Sequence, residues 1–358
     1  MSNQHDDSLI IRTWHEIAVT ALQSRASDIH IEAGVEGTLI RIRVDGLLQV
    51  HLHLALELHE RLITRIKILA RLDIAEKRLP QDGRLLVGHD FSKPNIDCRV
   101  SILPTLYGEK AVVRILPNNI NALSIEEIGL LPEQLLIVKN TLKQTNGLIL
   151  VTGPTGSGKT RTLYSYLRTL NQSHRNLCSI EDPVEIRLPG VNQVAYHPRS
   201  GLDFPTIIRA LLRQDPDVIM IGEIRDSATA QLAVQAAQTG HLVLSTLHTR
   251  NARGALTRLK SLGLDQESLE SCLRSVSSQR LIRKICRHCQ GETKKMMCCA
   301  HCKGIGKYDR IGVHEVLSTA QLFDTSSKYV TMYEAGLQYV KDGLIQELDL
   351  NSEIGTWH

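Results

Sequence analysis

Apolar and polar positions divide the chain into two stretches with different rhythms. Over residues 8–24, Leu9, Ile10, Ile17, Ala18, Ala21 and Leu22 recur at helical spacing. Ser27-Asp28-Ile29-His30-Ile31-Glu32 then alternates as a strand, as does Leu39-Ile40-Arg41-Ile42-Arg43-Val44, and Asp45-Gly46 is a hairpin signal. Helical period returns over 56–72 through Leu58, Leu62, Ile66, Leu69 and Leu72. Pro80-Gln81-Asp82-Gly83 predicts a turn, and Asp97–Ile102 and Lys110–Leu116 predict two more strands. These elements make a small α+β domain over residues 1–118. Residues 117–128 read as a linker, with Pro117–Ala122 at its start.

From Gly129 the pattern changes. Short apolar runs at 148–152, 177–181, 218–222 and 242–246 read as buried strands. Helical stretches such as Phe204–Arg213 and Ser227–Thr239 separate them. This alternation predicts an α/β core over 129–280, with a mostly parallel sheet and helices on both faces. A cysteine cluster and a short helical tail fill 281–358. Neither an internal repeat nor a low-complexity tract is present.

The first strand of that core leads into Gly153-Pro154-Thr155-Gly156-Ser157-Gly158-Lys159-Thr160, and a helical run follows. Strand, glycine loop and helix in this order form a P-loop. Glycines let backbone N–H groups converge on phosphate oxygens, and the helix N-terminus adds positive charge. Lys159 is expected to reach the β- and γ-phosphates and the Thr160 hydroxyl to bind Mg²⁺. The chain therefore binds a nucleotide.

Further candidates lie at the ends of the other predicted strands. Val218-Ile219-Met220-Ile221-Gly222-Glu223 is an apolar strand ending in an acid, as in a Walker B element, so Glu223 is placed to polarise water or bind Mg²⁺ through it. Glu181, Asp182 and Glu185 follow the second strand and suit a Mg²⁺ and water site; the alternative is a solvated turn. His241 and His248 bracket the strand Leu242–Thr246, where they are candidates for sensing a γ-phosphate.

Composition narrows the class. Apolar residues at 42% and charged residues at 22% match a soluble globular protein. A net charge of +4, aromatics at 4% and no basic tract argue against direct nucleic-acid binding. The start, Met1 to Asp7, is polar and acidic and is not expected to be a signal peptide. No apolar run is long enough to span a bilayer, so a cytosolic location is expected. Cys98, Cys178 and Cys272 are scattered and read as small core residues. Cys286, Cys289, Cys299 and Cys302 form two C-x₂-C pairs, the spacing of a closed, structural Zn²⁺ site. Cys298 competes with Cys299, and His288 and His301 are spare donors.

Taken together, Gly153–Thr160, Ile180–Glu185, Asp215 through Asp226 and Thr239 through Thr249 resemble the secretion and type IV pilus assembly ATPases, with their Walker A, Asp box, Walker B and His box. Ala26–Glu32, Arg41–Gly46 and Lys77–Arg84 resemble the same family's N-terminal half. The resemblance implies a RecA-like ATPase core behind a PAS-like domain, ATP and Mg²⁺ as cofactors, and a homo-hexamer. It further implies docking on a polytopic inner-membrane platform protein, at the inner face of the cytoplasmic membrane. By the same resemblance Glu223 is the catalytic glutamate, and Arg99 and Arg114 reach the phosphates. Arg209 and Arg213 match arginines of the ATPase domain. The knuckle is similar to assembly and secretion members rather than retraction members. With the short stretch ahead of Ser27-Asp28, it points to the competence-type motor of DNA uptake, with type II secretion or adhesive pili as the alternative. A nucleic-acid motor and a nucleotide-binding scaffold that does not turn over are rivals of different class.

Overall fold

The structure is a computed structural model and describes residues 2–88, 96–116, 124–197, 200–324 and 326–355. It divides into two compact units, Met1–Asn119 and Ile120–His358. The linker read at Pro117–Ala122 lies outside the described residues.

The first unit contains α1 (Ser2–Gln23), β1 (Asp28–Gly34), β2 (Gly37–Val44), β3 (Leu47–Leu54), α2 (His59–Ala70), β4 (Gln81–Val87), β5 (Ile96–Thr105) and β6 (Gly108–Ile115). Its six strands form an antiparallel sheet in the order β3-β2-β1-β6-β5-β4. One face is apolar and packs Ile29, Ile31, Ile40, Val100, Ile102 and Val113 against Trp14 and Ile17 of α1 and Leu62, Ile63 and Ile66 of α2. The predicted turn at Pro80–Gly83 is corrected. Gln81, Asp82 and Gly83 already pair with Ile102, Ser101 and Val100, so only Pro80 lies outside the strand. Proline has no N–H to give a ladder, which suits it to the position before a strand.

The second unit runs α3 (Pro132–Leu142), β7 (Gly147–Thr152), α4 (Lys159–Leu170), β8 (Leu177–Glu181), β9 (Val191–Ala195), α5 (Phe204–Leu211), β10 (Val218–Ile221), α6 (Ser227–Gln238), β11 (Leu242–Leu247), α7 (Gly254–Ser261), α8 (Gln266–Cys272), β12 (Leu273–Ile285), α9 (Thr293–Met296), β13 (Lys307–Ser318), α10 (Thr319–Phe323), α11 (Met332–Lys341) and α12 (Glu347–Ile354). Its sheet has the order β13-β12-β7-β11-β10-β8-β9. Every neighbouring pair is parallel except β12 and β13. All residues of β7, β10 and β11 are buried, as their largely apolar runs require of strands covered on both faces. Leu148 and Leu150 face α5 and α6, while Ile149 and Val151 face α3 and α4. Asp203 and Asp226 cap α5 and α6 by accepting the N–H of Thr206 and Thr229, each at 2.8 Å.

The sheet does not stop at residue 280, where the sequence reading ends the core. β12 crosses that position and turns through the cysteine loop, and β13 returns along it. The cysteine loop is thus the tip of an edge hairpin. The tail packs on the same hairpin, burying Met332, Ala335, Tyr339 and Leu350 against Ile282 and Val313.

Candidate functional site

β7, β11, β10 and β8 are adjacent and parallel, so their C-terminal ends share one edge of the sheet. In such sheets this edge is where ligands bind. The loop Gly153–Gly158 leaves β7 there, and α4 begins at Lys159. Gly153 has φ +146°, and a Cβ on it would lie 2.6 Å from the Gln279 carbonyl oxygen. Gly158, with φ +89°, is the N-cap of α4. Both positions therefore require glycine. Lys159 Nζ turns back over the loop and donates to the carbonyls of Gly153 and Pro154, each at 2.9 Å. Burial pushes its ammonium down from the usual lysine range, and the nearby Glu223 carboxylate opposes this. Ser157 Oγ is buried without a hydrogen-bond partner among the described residues. An orphan hydroxyl, a folded-back lysine and a helix N-terminus fit a phosphate chain. Thr160 lies in the first turn of α4, directly after Lys159.

Glu223 follows β10 and His248 follows β11. His248 Nε2 lies 3.0 Å from one Glu223 carboxylate oxygen, and Arg225 Nε lies 3.0 Å from the other. Arg225 also reaches Asp182 at 3.4 Å. The strand order thus brings Lys159, Glu223, His248 and Asp182 to one edge, as the sequence reading expects.

Four sequence candidates are placed differently. Glu181 is buried, and its carboxylate accepts from Ser179 at 2.7 Å, from Gln193 at 2.9 Å and from the Tyr164 hydroxyl. Tyr164 in turn accepts the backbone N–H groups of Glu185 and Ile186 at 3.3 Å. Glu181 therefore shapes the 182–186 loop instead of facing a ligand, whereas Glu185 is exposed on that loop. His241 precedes β11, at the opposite edge of the sheet from His248, and its Nδ1 lies 3.0 Å from the Ala236 carbonyl. Arg209 and Arg213 sit at the end of α5, next to the Gln214 and Asp215 carbonyls that bind Asn176 just ahead of β8. That too is the edge away from this chain's own P-loop.

In the first unit Arg99 and Arg114 are direct cross-strand partners. Register extends the row to Arg84, opposite Arg99, and to Asp28 and Arg43 beyond Arg114. Asp28 accepts from Arg114 at 3.0 Å. Facing like charges destabilise a sheet, and here four arginines share a row with Asp28, while Asp97 lies 3.8 Å from Arg84.

The cysteine loop forms a third constellation. The sulfurs of Cys286, Cys289, Cys299 and Cys302 all lie within 4.8 Å of one another. Cys286 and Cys299 are 3.9 Å apart and Cys289 and Cys302 3.6 Å, far longer than a disulfide. Sulfurs about 2.3 Å from a tetrahedral Zn²⁺ would be separated by about 3.8 Å, so the set fits zinc. Cys298 is exposed and outside the set. The His288 and His301 rings lie against each other, tilted, with centroids 4.1 Å apart, and His301 lies against Tyr308 at 3.8 Å.

Residues 3–347 match the family model described as Type II/IV secretion system protein. The chain belongs to this family. It is 43% identical over 352 residues to the Protein transport protein HofB homolog of Haemophilus influenzae, covering 98% of this chain and 75% of that one. With the Type II secretion system protein HxcR of Pseudomonas aeruginosa it shares 46% identity, over 87% of this chain and 66% of that one. With the Type IV pilus assembly ATPase PilB of Acinetobacter baylyi it shares 46%, over 80% of this chain and 49% of that one. Among solved structures, the pilus retraction motor PilT with bound ADP aligns at a TM-score of 0.64 and 26% identity, covering 94% of this chain and 96% of that one. The Legionella pneumophila ATPase DotB aligns at 0.71 and 21% identity, over 93% and 92%, which shows the shared α/β fold alone.

This secretion-family chain is an ATPase, with ATP and Mg²⁺ as its cofactors and a cysteine cluster suited to zinc. Sequence reasoning missed Arg84 and Arg43 of the arginine row, although strand alternation in register with Arg99 and Arg114 would have found them. It also missed Tyr164 and Gln193, which lack any motif and are recognised only by what they hold.

Proposed function

We propose that this ATPase is the motor of a type II secretion or type IV pilus assembly machine, hydrolysing ATP to add pilin-like subunits to a filament. The observation that carries the reading is the convergence of Lys159, Glu223 and His248 at the ends of three adjacent parallel strands. In this reading Gly153–Thr160 wraps the phosphates, with Lys159 on the β- and γ-phosphates and Thr160 on Mg²⁺. Glu223 polarises the attacking water, and His248 and Arg225 hold its carboxylate in place. Asp182 and Glu185 assist the metal through water. Arg99 and Arg114, with the row around them, supply charge to the phosphates. Glu181, His241, Arg209 and Arg213 have no place at this chain's own nucleotide.

The reading extends to a homo-hexamer on a polytopic inner-membrane platform protein, at the cytoplasmic face. No described helix is long and apolar enough to cross a membrane, so the attachment would be peripheral. The first unit is taken as the family's PAS-like domain, joined by a linker near 117–128 to a RecA-like core, with zinc as a structural ion in the hairpin tip. The competence-type role in DNA uptake is the narrower reading. Relatives named for secretion and pilus assembly favour the broader role.

The test compares two variants. Lys159→Ala should lose nucleotide affinity, while Glu223→Gln should bind ATP and hydrolyse it far more slowly. The trapped Glu223→Gln protein should then recover a polytopic membrane protein from its host. Near-normal turnover in Glu223→Gln would refute the assignment, and turnover stimulated by DNA would favour a nucleic-acid motor.

A further inference from the structure

Gln279 lies on β12 and is almost fully buried. β12 pairs in parallel with β7, and Ser278 is in register with Thr152, the residue before the P-loop. The Gln279 side chain therefore reaches the loop as it leaves the sheet. Its amide nitrogen donates to the Ser157 carbonyl at 2.6 Å, and its amide oxygen accepts from the Thr162 hydroxyl at 2.8 Å. The carbonyl can only accept, which fixes the orientation of the amide. Thr162 lies in the first turn of α4 and is buried too. One side chain thus joins the last peptide before Gly158 to the helix that follows.

The consequence comes from peptide geometry. In a trans peptide the C=O and the next N–H point in opposite directions. Holding the Ser157 carbonyl toward β12 aims the Gly158 N–H away from it, toward the open side of the loop. A P-loop binds phosphate through such N–H groups. Gly158 has the backbone freedom to flip, and without a tether on its neighbour nothing in its own side chain resists that.

We propose that Gln279 is a positioning residue for nucleotide binding, aiming the Gly158 amide at the phosphates through its hydrogen bond to Ser157. The proposal rests on the P-loop reading above. Gln279 does not touch the nucleotide and acts through the peptide it holds. Its bond to Thr162 keeps the amide in the required orientation.

Binding of ADP with Mg²⁺, measured by titration calorimetry on the zinc-loaded full chain, provides the test, with thermal unfolding confirming that each variant folds. Gln279→Leu removes the donor and should weaken ADP about 10-fold to 100-fold, the range for one hydrogen bond to a charged group. Gln279→Glu keeps the shape but cannot donate to Ser157 at pH 8, and should lose affinity similarly. Thr162→Val leaves that donor intact and should stay within about threefold of the parent. Wild-type affinity in Gln279→Glu would overturn the proposal. Equal losses in Thr162→Val and Gln279→Leu would also overturn it, because the role would then be the packing of α4. Lys159→Ala separates the two readings. If it binds ADP normally, the P-loop reading fails; if it loses ADP while Gln279→Leu binds normally, only the role of Gln279 fails.

Discussion

His314 makes the second unit acid-sensitive. The ring is fully buried in β13, and its Nε2 lies 2.9 Å from the Ile128 carbonyl. A carbonyl only accepts, so Nε2 carries the hydrogen and the neutral tautomer is fixed. Burial pushes the pKa from 6.5 to about 4, with the hydrogen bond to Ile128 opposing. A depressed histidine pKa means that the unfolded chain binds the proton first. Stability is therefore complete above pH 6.5 and falls as pH drops toward 4. Linkage gives a loss on the order of 1 kcal/mol between pH 7.5 and pH 5.5, growing to roughly 3 kcal/mol below pH 4. For a unit of this size the first figure corresponds to about 2–4 °C in Tm.

The assay is thermal unfolding of the full zinc-loaded chain at pH 7.5, 6.5 and 5.5, in parallel with His314→Gln. A glutamine amide can still donate to Ile128 but does not titrate. Other groups tilt both curves equally. Burial raises the pKa of Glu315, so its contribution grows on acidification, and the zinc thiolates take up protons in both proteins. The difference between the slopes isolates His314, and the parent should lose about 2–4 °C more than the variant by pH 5.5. Parallel curves would refute the reasoning.

Two further outcomes follow from buried contacts. Zinc measured by elemental analysis should approach one ion per chain and fall in Cys286→Ser and Cys302→Ser but not in Cys298→Ser; full zinc in Cys299→Ser with loss in Cys298→Ser would reverse the ligand choice. Lys67 is buried in α2 and pairs with Glu109 at 2.7 Å, so Lys67→Met should cost the first unit about 3–5 kcal/mol in urea unfolding, and a cost below about 1 kcal/mol would show that Glu109 needs no partner.

The parallel strands and the P-loop were legible because they obey one rule. Strands buried on both faces are mostly apolar, so β7, β10 and β11 appear as runs broken only near their C-terminal ends by Thr152, Ser245 and Thr246, and their chemistry follows at that end. β12 and β13 break that rule. Ser275, Ser277, Ser278, Gln279, His314 and Glu315 are all buried, and a run this polar reads as surface or loop. Strand direction explains the two histidines. Both flank β11, but in a parallel sheet only the one after the strand lies at the ligand edge, a signal the sequence already contained. Glu181 was not legible in this way. A carboxylate at the end of a strand looks the same whether it faces solvent or gives its oxygens to Ser179, Gln193 and Tyr164.

The polar residues that hide β12 and β13 also define what the hairpin does. A buried polar group is tolerated only where partners satisfy it, and packing alone would be served as well by apolar residues. Here the partners lie mainly in connecting segments. Gln279 holds the P-loop at Ser157. Arg280 donates to the Arg250 carbonyl at 3.0 Å, and Glu315 accepts from the Ala252 N–H at 2.8 Å, both in the segment after His248. Glu315 also accepts from Met332 at the start of α11, at 3.4 Å. Loops cannot be fixed by apolar contact with the same precision, because hydrophobic burial has no direction and a hydrogen bond does. One hairpin thus backs both the P-loop and the His248 loop, and the zinc-suited cysteines close its tip. Movement of this hairpin would shift both loops together, so its rigidity bears on the geometry in which Lys159 and Glu223 meet a nucleotide.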